Sequence, residues 1–155
     1  TELLEISVAW EAMNSIWKEE TKDERGPMTP DWLAVRIVRR DWPKLSPQFE
    51  AAATRLYLVD NSLAAHLRLA LVHHVAIGRI LPKVQEALHN KTPEFTFWSD
   101  RLLCTIKTQV AQCSCANELL NSLVFSKASA LNKARRRIYL NRRESECKKL
   151  LLTGE

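Results

Sequence analysis

The stretch Asp60-Asn61-Ser62-Leu63-Ala64-Ala65-His66-Leu67-Arg68-Leu69-Ala70-Leu71-Val72-His73-His74-Val75-Ala76-Ile77-Gly78-Arg79-Ile80-Leu81 decides the architecture. It is rich in Leu and Ala, which favour helix, and it contains no proline. Its apolar residues fall on nearly every side of a helix, a pattern that belongs to the buried centre of a bundle. The spacing predicts a helix from a cap at Asp60 or Ser62 to about Leu81, with Leu67, Leu71, Val75 and Ile77 among the least accessible residues. Two narrow polar stripes interrupt it, one of Ser62, His66 and His73, the other of Arg68 and Arg79. Pro82 lacks an amide and is expected to kink this helix or to start a short one reaching His89.

Outward from this segment, three starts share one chemistry. Thr29-Pro30-Asp31, Ser46-Pro47-Gln48 and Thr92-Pro93-Glu94 each put a hydroxyl at the N-cap and proline at the first helical position. The hydroxyl accepts a bond from an otherwise orphaned amide, and proline has no amide to leave orphaned there. Helices are expected from Pro30 to about Arg40 and from Pro47 to about Val59. A further helix should run from Pro93 or Ser99 to about Ala111, and another from Cys115, capped by Ser114, to about Ser126. Ahead of them, Leu3, Ile6, Trp10, Met13 and Trp17 recur at helical spacing and predict a helix over Leu3 to Glu19. A last helix, over about 128–152, is continuous with its predecessor or follows it closely. The expectation is an all-α fold, a single compact bundle or short helical-repeat-like stack of six to eight helices.

Composition narrows the function. Only three glycines occur in 155 residues. Sandwiches and barrels need glycine at tight turns, and nucleotide-binding folds need it where backbone approaches phosphate. Neither a glycine-rich phosphate loop nor a serine-hydrolase or metalloprotease motif is present. No apolar run approaches the roughly 18 residues of a membrane span. The chain opens at Thr1 without methionine and closes on Thr153-Gly154-Glu155, so we expect one domain cut from a longer protein.

Charge is segregated. Of the net +5, residues 127–155 carry nine Lys or Arg against three Glu, whereas 1–126 carry fourteen against fifteen acids. On a helix, Arg135, Arg142 and Lys149 repeat every seven residues, with Arg136 and Arg143 beside them and Leu131, Ala134, Ile138 and Leu152 opposite. Such a helix suits nucleic-acid phosphates, an acidic protein or an anionic membrane surface. Arg36, Arg39 and Arg40 form the second basic cluster, and Trp42, beside Pro43 in a loop, is expected to be partly exposed. These nine residues are the candidate partner- or phosphate-binding positions.

Other chemistry reads as structural. Cys104, Cys113, Cys115 and Cys147 are read as reduced thiols of a cytosolic or nuclear protein. In a helix, Cys113 and Cys115 point about 200° apart and share no ion. His66, His73, His74 and His89 fit core or boundary histidines, and the single Glu86-x-x-His89 lacks the second copy that a di-iron bundle requires. No catalytic residue, metal ligand or cofactor is assigned. We therefore expect a non-enzymatic helical protein–protein interaction module of a larger intracellular protein. The alternative is a nucleic-acid-binding module using the basic C-terminal helix.

Overall fold

A computed structural model of the chain describes residues 2–22, 29–40, 42–45, 47–124, 143 and 145–153. The helices are α1 (Glu2–Thr21), α2 (Pro30–Val38), α3 (Pro47–Leu56), α4 (Asn61–Asn90) and α5 (Glu94–Val124). A sixth, α6, covers 145–153, and no strand occurs among the described residues. The expected all-α bundle is the observed one.

The caps explain several boundaries. Thr29 Oγ1 accepts from the Trp32 amide at 3.4 Å, and Asp60 Oδ1 from the Leu63 amide at 2.9 Å. Both start their helices as read from sequence. Ser46 lies outside the described residues. Thr92 is a correction: α5 begins at Glu94, and the buried Thr92 hydroxyl finds no hydrogen-bond partner among the described residues. Its backbone is occupied instead in closing α4. The Thr92 amide donates to Ala87 O at 3.1 Å and the Lys91 amide to Leu88 O at 3.4 Å. Lys91 adopts the left-handed conformation, φ 52° and ψ 40°, in this double-bonded helix end.

Neither Pro82 nor Ser114 begins a separate helix. Pro82 lies inside α4, which continues for two further turns to Asn90. The amide it lacks would have bonded the carbonyl of Gly78, one turn earlier. Likewise α5 runs unbroken through Cys113-Ser114-Cys115. Ser114 is a helix-interior residue, because nothing in 94–124 is glycine or proline and tertiary packing supplies the rest.

The three-residue turn after Asn90 makes α4 and α5 an antiparallel pair, and this pair is the axis of the fold. The other helices pack around it: α1 and α2 on α5, and α3 mainly on α4. One apolar cluster joins Met13, Ile37, Ile77, Val84, Leu102 and Ile106. A second joins Phe49, Ala53, Leu63, Leu67 and Leu120 near the start of α4. Alanines 34, 52, 53, 70 and 116 are buried at these contacts and let the helix backbones approach.

Helix α4 is central but not enclosed. Leu67 and Ile77 are fully buried as expected, and Leu71 is only partly so. Val75 is a correction, at 53% exposed, beside Val72 at 61%. A helix apolar all round does not tell which side its neighbours cover, and here they leave one face open.

Candidate functional site

The open face of α4 is a row. Arg68, Val72, Val75 and Arg79 follow steps of four, three and four residues, so they lie on one side of the helix. Arg68 places its guanidinium 5.3 Å from the centre of the Tyr57 ring. Beside this row, Leu71, Ile80 and Trp98 floor an open groove of about 570 Å3 whose edge is formed by Arg79, Arg101 and Glu50. Lys83 caps the Trp98 ring at 4.3 Å. The groove is apolar in the middle, and its margin carries two arginines and one carboxylate, Glu50. Arg79 and Arg101 are exposed, and neither meets a carboxylate among the described residues.

The basic residues singled out from sequence have other neighbours. Glu20, 2% exposed, receives both Arg36 and Arg40; the Arg40 Nε contact is 2.9 Å. The Arg36 guanidinium also stacks 4.6 Å from the Trp32 ring centre. These contacts tie the end of α1 to α2. Arg39 is exposed. Arg143 donates from Nη2 to Glu118 Oε1 at 2.9 Å and from Nη1 to Glu146 Oε2 at 2.6 Å. The bonds to Glu118, then those to Glu146, raise its pKa further above the ordinary arginine value. Lys149 is exposed, and with Lys107, Trp10 and Trp17 it lines a cleft of about 430 Å3 where α6 meets α1 and α5. Arg135, Arg136 and Arg142 lie outside the described residues, as does most of the expected basic helix. Position 42 is corrected: Trp42 is 7% exposed and belongs to the core.

Trp42 opens a polar chain through the α4–α5 interface. Its Nε1–H donates to Gln109 Oε1 at 3.1 Å, and Gln109 Nε2 lies 3.1 Å from His74 Nδ1. The Leu45 amide approaches His74 Nε2 at 3.3 Å. Both ring nitrogens therefore face donors. A neutral ring accepts from one of them, whereas an imidazolium accepts from neither. Burial lowers the His74 pKa, and this donor arrangement acts in the same direction. His73, on the same turn, is also lowered by burial.

A second buried pair lies farther along. His66 Nδ1 meets Gln112 Oε1 at 2.6 Å, so Nδ1 carries the ring proton and Nε2 the lone pair. Burial lowers the His66 pKa, partly offset by the Gln112 bond and by Asp60. Close by, Cys115 and Cys147 form a disulfide, with Cα atoms 5.8 Å apart. This corrects the expectation of four reduced thiols. Cys104 is free and exposed; Cys113 is free and buried, and burial pushes its thiol up to about 12. Cys113 and Cys115 do face different surroundings, Cys113 in the larger apolar cluster and Cys115 against α6. Sequence reading missed the His66, Cys115 and Cys147 grouping because the three are remote in the chain.

Among the described residues no helix is long and apolar enough to cross a membrane. Comparison with protein-family models, curated proteins and solved structures finds no match.

Proposed function

We propose that this chain is a non-enzymatic protein–protein interaction module that receives an amphipathic helix of another protein in the α4–α5 groove. One observation carries the reading. Val72 and Val75 are exposed side by side, between Arg68 and Arg79 on the same helix face, next to an apolar groove. Grooves of this kind accept the apolar side of a helix at i, i+3, i+4 spacing. The flanking arginines select a partner whose apolar stripe is bracketed by Asp or Glu. A second copy of this chain suits the face poorly, because a two-fold contact through the row brings arginines against arginines.

Nucleic-acid binding is the weaker reading, since Arg36, Arg40 and Arg143 are engaged by buried or partly buried carboxylates. A phosphate surface needs such cations available to displace counterions. An intracellular setting is the sequence-based part of the proposal, and the Cys115–Cys147 disulfide argues against it, since such bonds persist mainly in oxidising compartments.

The test places a photo-crosslinking amino acid at position 75, with the exposed position 48 of α3 as control, in cells that express the protein. Crosslinks from position 75 should map to an acidic-flanked helix, and Val72→Asp with Val75→Asp should abolish the complex. Crosslinks equal at both positions, or confined to nucleic acid, would refute the reading. Duplex binding with a log–log salt slope of several units would favour the alternative.

A further inference from the structure

The buried Cys115–Cys147 pair has a histidine beside it. The two Sγ atoms and a ring nitrogen of His66 all lie within 4.8 Å of one another, and all three residues are buried. We propose that, when the disulfide is reduced, Cys115, Cys147 and His66 hold one Zn(II) ion. Donors on a single tetrahedral zinc lie roughly 3.5–4 Å apart, as follows from zinc–sulfur and zinc–nitrogen bonds of about 2.3 and 2.0–2.1 Å. At 4.8 Å or less the cluster is within about an ångström of that spacing, so a small shift that parts the two sulfurs is enough to form it.

Two features suit zinc. Two thiolates balance its charge, so the buried site is neutral overall, which a monovalent ion does not achieve. His66 has the outer partner that zinc-bound histidines have: its Nδ1–H is held by Gln112 Oε1 at 2.6 Å, and Nε2 is the nitrogen that would ligate. Three protein ligands leave the fourth position to water or another donor.

The exchange balances. A dithiol reductant gives two electrons and two protons to the disulfide and becomes a disulfide itself. The resulting thiols then lose their two protons to solvent as zinc binds. The oxidised chain has no thiolate pair to offer, so zinc binding and the disulfide exclude each other.

The experiment uses the full chain, reduced with dithiothreitol, desalted anaerobically and titrated with zinc chloride against a chromophoric chelator. The reduced chain should take up one equivalent and the oxidised chain none. Cobalt substitution should give a near-ultraviolet thiolate charge-transfer band. Cys115→Ser and Cys147→Ser should remove uptake and band, Gln112→Ala should weaken affinity by about 10–100-fold, and Cys104→Ser should change nothing. The reduced-against-oxidised comparison needs no variant, so a variant that fails to fold leaves the test intact. No stoichiometric uptake by the reduced chain, equal uptake by both forms, or binding of Cu(I) but not zinc would overturn the assignment.

Discussion

Replacing Trp42 with phenylalanine tests the polar chain that joins the loop before α3 to the α4–α5 interface. The substitution removes the Nε1–H that Gln109 Oε1 accepts at 3.1 Å. Gln109 is fully buried, so its oxygen has no water to turn to. An orphaned buried acceptor costs about 1–3 kcal/mol. The ring also loses about two buried carbon-sized groups, at about 0.8 kcal/mol each. Trp42→Phe should therefore destabilise by about 3–4 kcal/mol. Gln109→Leu removes the acceptor instead, orphaning the Trp42 N–H and also taking the Gln109 Nε2 partner from His74 Nδ1, and should cost at least about 1–3 kcal/mol. In the double variant neither group is left unpaired, so both orphan penalties vanish and the combined loss should fall short of the sum by at least about 2 kcal/mol. Urea unfolding at pH 7.5, followed by far-ultraviolet circular dichroism, reads all three values. Additivity within about 0.5 kcal/mol would mean that the two side chains do not act together, and the chain described here would be refuted.

Three other outcomes are expected. The folded state keeps His74 neutral by lowering its pKa from 6.5, so the unfolded chain binds more protons in the window below that value. Stability should hold above about pH 6.5 and fall as pH drops through the window; His66 and His73, lowered in the same direction, share the decline, so His74→Leu should lessen it without abolishing it in urea midpoints measured between pH 7.5 and 5.5. Reducing the Cys115–Cys147 bond in the presence of a chelator should lower stability by about 3–4 kcal/mol, the chain-entropy value for a sequence separation of 32 residues; an unchanged denaturation midpoint would show that the bond constrains nothing. Gly78→Ala should stabilise by about 0.4–1 kcal/mol in thermal unfolding, because the added methyl meets nothing within 4 Å and shortens the list of unfolded conformations.

Local chemistry was legible where one residue decides it. Thr29 and Asp60 cap helices because their oxygens meet amides three residues on, an interaction contained in the sequence itself. Thr92 has the same spelling, but the left-handed end at Lys91 claims its backbone and leaves the hydroxyl without a partner among the described residues. Buried contact decides the rest. Trp42 next to a proline reads as a loop residue, yet its indole finds Gln109, 67 positions away. Arg36 and Arg40 read as a basic patch, and the carboxylate that engages them, Glu20, belongs to another helix. The groove has the same origin. Val72 and Val75 are as apolar as Leu67 and Ile77, and only the placement of α3 and α5 separates the covered side from the open one.

The bond between Cys115 and Cys147 also sets how the chain carries load. Force applied at the C-terminal end passes through the sulfur bridge directly to the middle of α5. Residues 116–146 sit inside the covalent ring and are bypassed by the tension. A protease cut anywhere in that interval would leave α6 tethered to the bundle, and the fragments would separate only after reduction. Anything attached beyond Glu155 is in this sense moored at Cys115 rather than at the end of α5, and the mooring is released by electrons rather than by pulling.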